Sequence, residues 1–261
     1  FTHSWSNGDI TEDITGLCAG TYTDTITDSN GCTITASIII TEPPALATAI
    51  AGTDASCNGV CDGAADLTIT GGTAPYTHSW SNGETTEDIT GLCAGTYTDT
   101  ITDANGCTIL DSVIISEPAV LSASIVGTDA SCNGVCDGTA DLTVTGGTAP
   151  YTHLWSNGAT SEDLTGLCAG TYADTVTDAN GCTVTAIVVI SEPAVLIASI
   201  VGTNVSCNGA CDGAADLTVT GGTLPYSFLW SNLATTEDIS GLCPGTYSVD
   251  ITDANGCTVS D

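Results

Sequence analysis

Apolar and polar residues alternate in short bursts along this chain, and Gly, Asn and Pro separate the bursts. In Ala65-Asp66-Leu67-Thr68-Ile69-Thr70 the aliphatic residues take one parity and Asp or Thr the other. That period of two is the mark of a half-buried strand. Carried over residues 44–118, the same reading predicts strands at 46–53, 64–70, 76–81, 86–90, 96–103 and 108–116. Gly71-Gly72 with Pro75, Asn82-Gly83 and Asn105-Gly106 supply the breaks. Asn-Gly is the dipeptide favoured in two-residue hairpin loops, where both central residues need positive φ. No stretch carries helical periodicity, so no helix is expected.

The pattern recurs with a fixed period. Cys18, Cys93, Cys168 and Cys243 fall 75 residues apart, as do Trp5, Trp80, Trp155 and Trp230. The chain is therefore a tandem array, with 1–43 a partial repeat lacking its N-terminal strands, 44–118 and 119–193 full repeats, and 194–261 a repeat truncated in its last strand. Phe1 aligns with Tyr76, Tyr151 and Tyr226, and a window cut from a longer polypeptide is the expectation. A processed subunit completed by a neighbour's strands is the alternative. Six or seven short strands per repeat, with a Trp on the third, predict an immunoglobulin-like β-sandwich. The passage Ile115-Ser116-Glu117-Pro118-Ala119 leaves no flexible tether between repeats, which implies stacked domains.

Composition narrows the function. There are 31 Asp and Glu residues and no Lys or Arg, giving a formal net charge of −31. Phosphate neutralisation is thus excluded, and with it nucleic-acid binding and attraction to anionic membranes. No apolar run is long enough to insert in a membrane. Fourteen Cys without Met, in a Thr- and Gly-rich chain, fit an oxidised extracellular protein. Trypsin-like proteases have no cleavage site.

The run Gly71–Thr108 carries Gly71-Gly72-Thr73, Pro75-Tyr76, Trp80-Ser81-Asn82-Gly83, Gly95-Thr96-Tyr97 and Asp103-Ala104-Asn105-Gly106-Cys107, with Cys57-Asn58-Gly59 and Asp62-Gly63 upstream. Together these resemble the SprB repeat of large surface adhesins of gliding Bacteroidota. The resemblance implies a non-catalytic, extracellular adhesin or filament segment, attached at the outer membrane and exported by the type IX system. Asp24, Asp99 and Asp174 depart from the commoner pattern, which has Val there, as Val249 does.

Each full repeat has four Cys, which allow three connectivities. The resemblance implies nested disulfides, Cys57–Cys107 with Cys61–Cys93, Cys132–Cys182 with Cys136–Cys168, and Cys207–Cys257 with Cys211–Cys243. A local Cys57–Cys61 loop competes, and a zinc site is the functional alternative. Under nesting, Cys18 and Cys32 have lost their partners.

His3, His78 and His153 share one phase, where the fourth repeat has Phe228; Asp24, Asp99 and Asp174 share another, where it has Val249. Both positions have core-facing parity, which predicts half-buried pairs His3–Asp24, His78–Asp99 and His153–Asp174 that become apolar together. The Asp-Ser/Thr-aliphatic triplets at Thr25, Thr100, Ser112 and Thr175 make these candidate O-glycosylation residues. Asn204-Val205-Ser206 is a lone N-glycosylation triplet. A hydrolase built from Ser79, His78 and Asp99 has no nucleophile elbow and fails in the fourth repeat, so no catalytic residue is assigned. No cofactor is expected. Calcium is a second candidate ion, because Asp103-x-Asn105-Gly106 matches part of a calcium loop without its terminal Glu.

These readings converge on a stiff, acidic, protease-resistant fibre. Its partners are copies of itself or adjoining repeats. A carbohydrate-binding array, with surface polysaccharide as partner and Trp80 as platform, is one alternative; a laterally packed filament subunit is another.

Overall fold

The computed structural model describes residues 1–261, all-β with twenty strands and no helix. The residues form two compact units, 1–55 with 59–117 and 56–58 with 118–261.

In the first unit, β1 (Thr2–Trp5), β2 (Gly20–Thr27) and β3 (Thr33–Ile40) form one antiparallel sheet in that order. β4 (Ala47–Thr53), β5 (Gly63–Thr70) and β6 (Ile89–Leu92) form a second. β7 (Gly95–Thr102) and β8 (Thr108–Ile115) pair as a hairpin, with bridges Thr77↔Thr102 and Trp80↔Asp99 along the other edge of β7.

The second unit contains two successive six-stranded sets. The first is β9 (Ser122–Thr128), β10 (Gly138–Thr145), β11 (Thr152–Trp155), β12 (Leu164–Leu167), β13 (Gly170–Thr177) and β14 (Thr183–Ile190). The second is β15 (Ile197–Thr203), β16 (Gly213–Thr220), β17 (Ser227–Trp230), β18 (Ile239–Leu242), β19 (Val249–Thr252) and β20 (Thr258–Ser260). In each set the first, second and fourth strands make one antiparallel sheet, and the third, fifth and sixth make the other. That is the A-B-E and C-F-G order of an immunoglobulin sandwich without its D strand.

Alternation explains the core. Ala140 and Leu142 of β10 face Trp155, Val176, Val188 and Ile190 across the sandwich. Trp155 is 1% exposed and donates its indole N–H to Ser161 O at 2.8 Å. At Gly127 a side chain would collide with Val188 and Ile190, so glycine lets the first strand cross close to the last. In residues 1–43 only the C-F-G sheet is present, and seven of the eight residues of β3 are exposed.

Three local expectations need correction. Residues 76–81 form two isolated bridges to β7 rather than a strand. The fourth strand lies at Ile89–Leu92, not 86–90. Residues 84–88 form the turn that receives the Trp80 indole on Thr86 O, and Asp88 Oδ1 accepts the Leu67 N–H at 2.9 Å. Asn105-Gly106 is not a two-residue loop either. Only Gly106 has positive φ (80°), and the Asp103 N–H reaches Cys107 O while the Gly106 N–H reaches Asp103 O. This is a three-residue loop with a bulge glycine, stabilised by the Asp103 carboxylate.

Candidate functional site

The ends of the repeats carry the chemistry. In residues 119–193 the incoming chain meets the β13–β14 turn at one end, here called the leading end. The Gly147 N–H donates to Ala119 O at 2.8 Å, and Thr148 N–H to Asp178 Oδ2 at 2.9 Å. Asp178 Oδ1 accepts N–H bonds from Asn180 and Cys182, both at 2.9 Å. Burial opposes ionisation of Asp178, but the backbone donors Thr148, Cys182, Asn180 and Gly181 outweigh it and hold its pKa below the ordinary carboxylate value. Asp103 is lowered chiefly by the Cys107 N–H, with Thr73 and Asn105 adding to it against burial. At Asp253 burial again opposes, and Thr223, Cys257, Asn255 and Gly256 win. These carboxylates are saturated by backbone donors, and no cluster of three His, Cys, Asp or Glu side chains is placed to hold a metal ion.

The trailing end lies at the opposite tip. Ala130 N–H donates to Ser191 O at 3.0 Å, and Ser191 N–H to Asp129 Oδ1 at 2.8 Å. The Cys132-Asn133-Gly134 turn grips the outgoing chain: Asn133 Nδ2 donates to Glu192 Oε1 at 2.9 Å and Gly134 N–H to Glu192 Oε2 at 2.8 Å. Cys132 therefore sits at the trailing end and Cys182 at the leading end. The eight residues of β14 separate them, roughly 25 Å at ~3.3 Å per residue.

That separation overturns half of the nested arrangement, since a disulfide needs Cα atoms within about 7 Å. Cys132 is instead bonded to Cys257 of the next repeat, with a Cα–Cα distance of 5.8 Å and a sequence separation of 125. Cys57 is bonded to Cys182 with the same separation and the same Cα–Cα distance. The pairs Cys57–Cys107, Cys132–Cys182 and Cys207–Cys257 are not formed. Cys61–Cys93, Cys136–Cys168 and Cys211–Cys243 are bonded within their repeats, each across 32 residues. Cys18, Cys32, Cys107 and Cys207 are free and exposed.

Hydrogen bonds flank the long-range disulfides. Asn255 Nδ2 donates to Ser131 O at 2.8 Å, beside Cys257, and Asn180 Nδ2 donates to Ser56 O at 2.8 Å, beside Cys182. Cystine spacing alone did not disclose this junction. Strand direction held the signal: β4 and β8 both end where Ala55 N–H meets Ser116 O, so a Cys after β4 and one before β8 lie at opposite tips.

The His and Asp residues meet inside the sandwiches. His78 Nδ1 lies 2.8 Å from Asp99 Oδ2, His153 Nδ1 2.8 Å from Asp174 Oδ2, and His3 Nδ1 2.6 Å from Asp24 Oδ2. The other Asp99 oxygen accepts the Ser79 N–H at 2.8 Å, so the carboxylate is buried and doubly bonded. Ser79 is exposed on the opposite face, and the third repeat has Leu154 in its place. No nucleophile stands on the imidazole. In the fourth repeat Val249 is 1% exposed beside a half-buried Phe228.

Thr25, Thr100 and Thr175 are half-buried on β2, β7 and β13, whereas Ser112 is exposed on β8. Trp80, Trp155 and Trp230 are at most 3% exposed, so none offers a stacking platform for sugars.

Strand order and the disulfides define the class, a tandem array of immunoglobulin-like sandwiches. The sequence narrows this further: the SprB repeat model matches residues 50–85, 124–160 and 199–235. No curated protein matches it. Among solved structures, the N-terminal eight immunoglobulin domains of Down syndrome cell adhesion molecule align over 97% of this chain at 10% identity, TM-score 0.31. The chain spans 52% of that fragment. The C-terminal 282-residue fragment of intimin, solved with the intimin-binding domain of its translocated receptor, aligns over 69% of this chain and 60% of its own at 12% identity, TM-score 0.26. The fold assignment rests on strand order, not on these alignments. These matches accord with a structural repeat region of the cell-surface adhesin kind.

Proposed function

We propose that the chain is a stalk segment in which each 75-residue repeat is one domain, with boundaries at 44, 119 and 194, and successive domains are braced end to end. The supporting observation is the Cys132–Cys257 disulfide, which ties the trailing end of one repeat to the leading end of the next. A two- or three-residue connection, an interdomain disulfide and the Asn255–Ser131 hydrogen bond restrict bending at the same junction. The net charge of −31 keeps such rods apart, and the absence of Lys and Arg denies trypsin-like proteases a site. The stalk stands at the cell surface, and its adhesive partner binds elsewhere on the full protein or on its exposed faces.

Electron microscopy with and without reductant tests this reading. Straight strands that become bent beads on reduction support it. Compact particles in the oxidised state contradict it.

A filament of laterally packed chains has one observation in its favour. Leu110 and Ile114 on β8, and Ile187 and Val189 on β14, are each more than 60% exposed on strands paired at one edge only. Ser112 sits between Leu110 and Ile114 on the same face, so a glycan there would block that packing. Sedimentation of the intact protein against a Ser112→Ala variant distinguishes the two.

A further inference from the structure

The two kinds of disulfide, taken together, make a second covalent route along the array. From Cys107 the backbone runs to Cys93, which is bonded to Cys61; a few residues away Cys57 is bonded to Cys182. From Cys182 the backbone leads back to Cys168, bonded to Cys136, and then to Cys132, bonded to Cys257. From Cys257 it reaches Cys243, bonded to Cys211, and ends at Cys207. Every cysteine of residues 44–261 lies on this route. Its two ends, Cys107 and Cys207, are free and exposed.

We propose that this route is a load-bearing cord that bypasses most of each repeat, so that tension along the stalk cannot unravel its domains. The proposal rests on the stalk reading above but concerns connectivity, not shape. Between Cys57 and Cys257 the backbone spans about 200 residues, or ~700 Å when stretched at about 3.5 Å per residue. Along the cord the same interval contains about 18 residues and three disulfides, roughly 80 Å in all. A pulled stalk would stop extending after a small fraction of its backbone length. An ordinary chain of immunoglobulin-like domains without such links releases each domain's whole contour.

The neighbouring geometry serves this role. Asp178 and Asp253 accept the backbone N–H of Cys182 and Cys257, and Glu192 fixes the turn after Cys132. The two long-range cystines are thus anchored in hydrogen-bonded turns rather than slack loops.

Force spectroscopy on the full chain held by its termini tests the cord. The oxidised protein should lock about 600 Å shorter at full extension than the reduced protein. Nested pairing would leave about 50 residues between Cys57 and Cys257, hence roughly 190 Å rather than 80 Å. A Cys136→Ser/Cys168→Ser double variant removes one rung and should lengthen the oxidised chain by about 110 Å. No change in that variant overturns the proposal, because nested disulfides would already have hidden the rung. The fully stretched length reports connectivity alone, so unfolded domains do not confuse it. Straight strands by microscopy with an oxidised length near 190 Å would keep the stalk and remove the cord.

Discussion

Asp99 is wholly buried, and its two oxygens are occupied by His78 Nδ1 and the Ser79 N–H. Removing the imidazole alone leaves a buried carboxylate short of a partner. His78→Phe should therefore destabilise its domain by about 3 kcal/mol. Adding Asp99→Val, which recreates the Phe228 and Val249 pairing of the fourth repeat, should recover most of that loss. Urea unfolding of the two single variants and the double variant measures the coupling; simple additivity would contradict it. Leu233 offers a second case. It occupies the turn position held by Gly83 and Gly158, at φ 68°, and is 80% exposed. No packing is lost on removing it, so Leu233→Gly should stabilise the fourth repeat by about 1 kcal/mol in thermal or urea unfolding. An unchanged midpoint would show that the loop relaxes around leucine.

The β7–β8, β13–β14 and β19–β20 turns each hold a carboxylate that makes the fold sensitive to acid. Asp178 and Asp253 have pKa values lowered by backbone N–H donors that prevail over burial. A carboxylate with a folded pKa below its unfolded one stabilises the fold above the unfolded value. That contribution is lost as pH falls through the folded value. Thermal midpoints should hold near neutral pH and drop once the medium is more acidic than about pH 4. Asp253→Asn should flatten the drop in the fourth repeat, because a neutral amide does not titrate. An equally steep fall in that variant would place the acid sensitivity elsewhere.

Strand positions were legible at this scale because alternation fixes faces locally. Leu67 and Ile69 on β5 needed no tertiary information. The fourth strand was displaced because Trp80 captures Thr86 for its indole, a contact the local pattern does not encode. The Asn105-Gly106 turn was located correctly, but the Asp103 side chain decides its type by filling the donor positions of the loop.

Across the whole molecule the array, its period and its sandwich topology follow from one repeated pattern of Thr, Ile, Val and Trp. The disulfide map does not, because cysteine spacing is blind to which tip of a sandwich a turn occupies. Cys57 and Cys107 are 50 residues apart in sequence yet separated by the length of β8 in space. The parallel course of the first and last strands leaves Cys57 bonded to Cys182 and Cys107 free. The mechanical character of the chain depends on that difference. Nested bridges would leave successive repeats unlinked, whereas Cys132–Cys257 joins two of them covalently.

Disulfide mapping of the non-reduced protein addresses the junction most directly. Cleavage at Asp and Glu is needed, since no Lys or Arg is present. Linked peptides containing Cys57 with Cys182 and Cys132 with Cys257 are the expected result. Peptides joining Cys57 to Cys107 and Cys132 to Cys182 would contradict the braced array and return the chain to a string of separately closed domains.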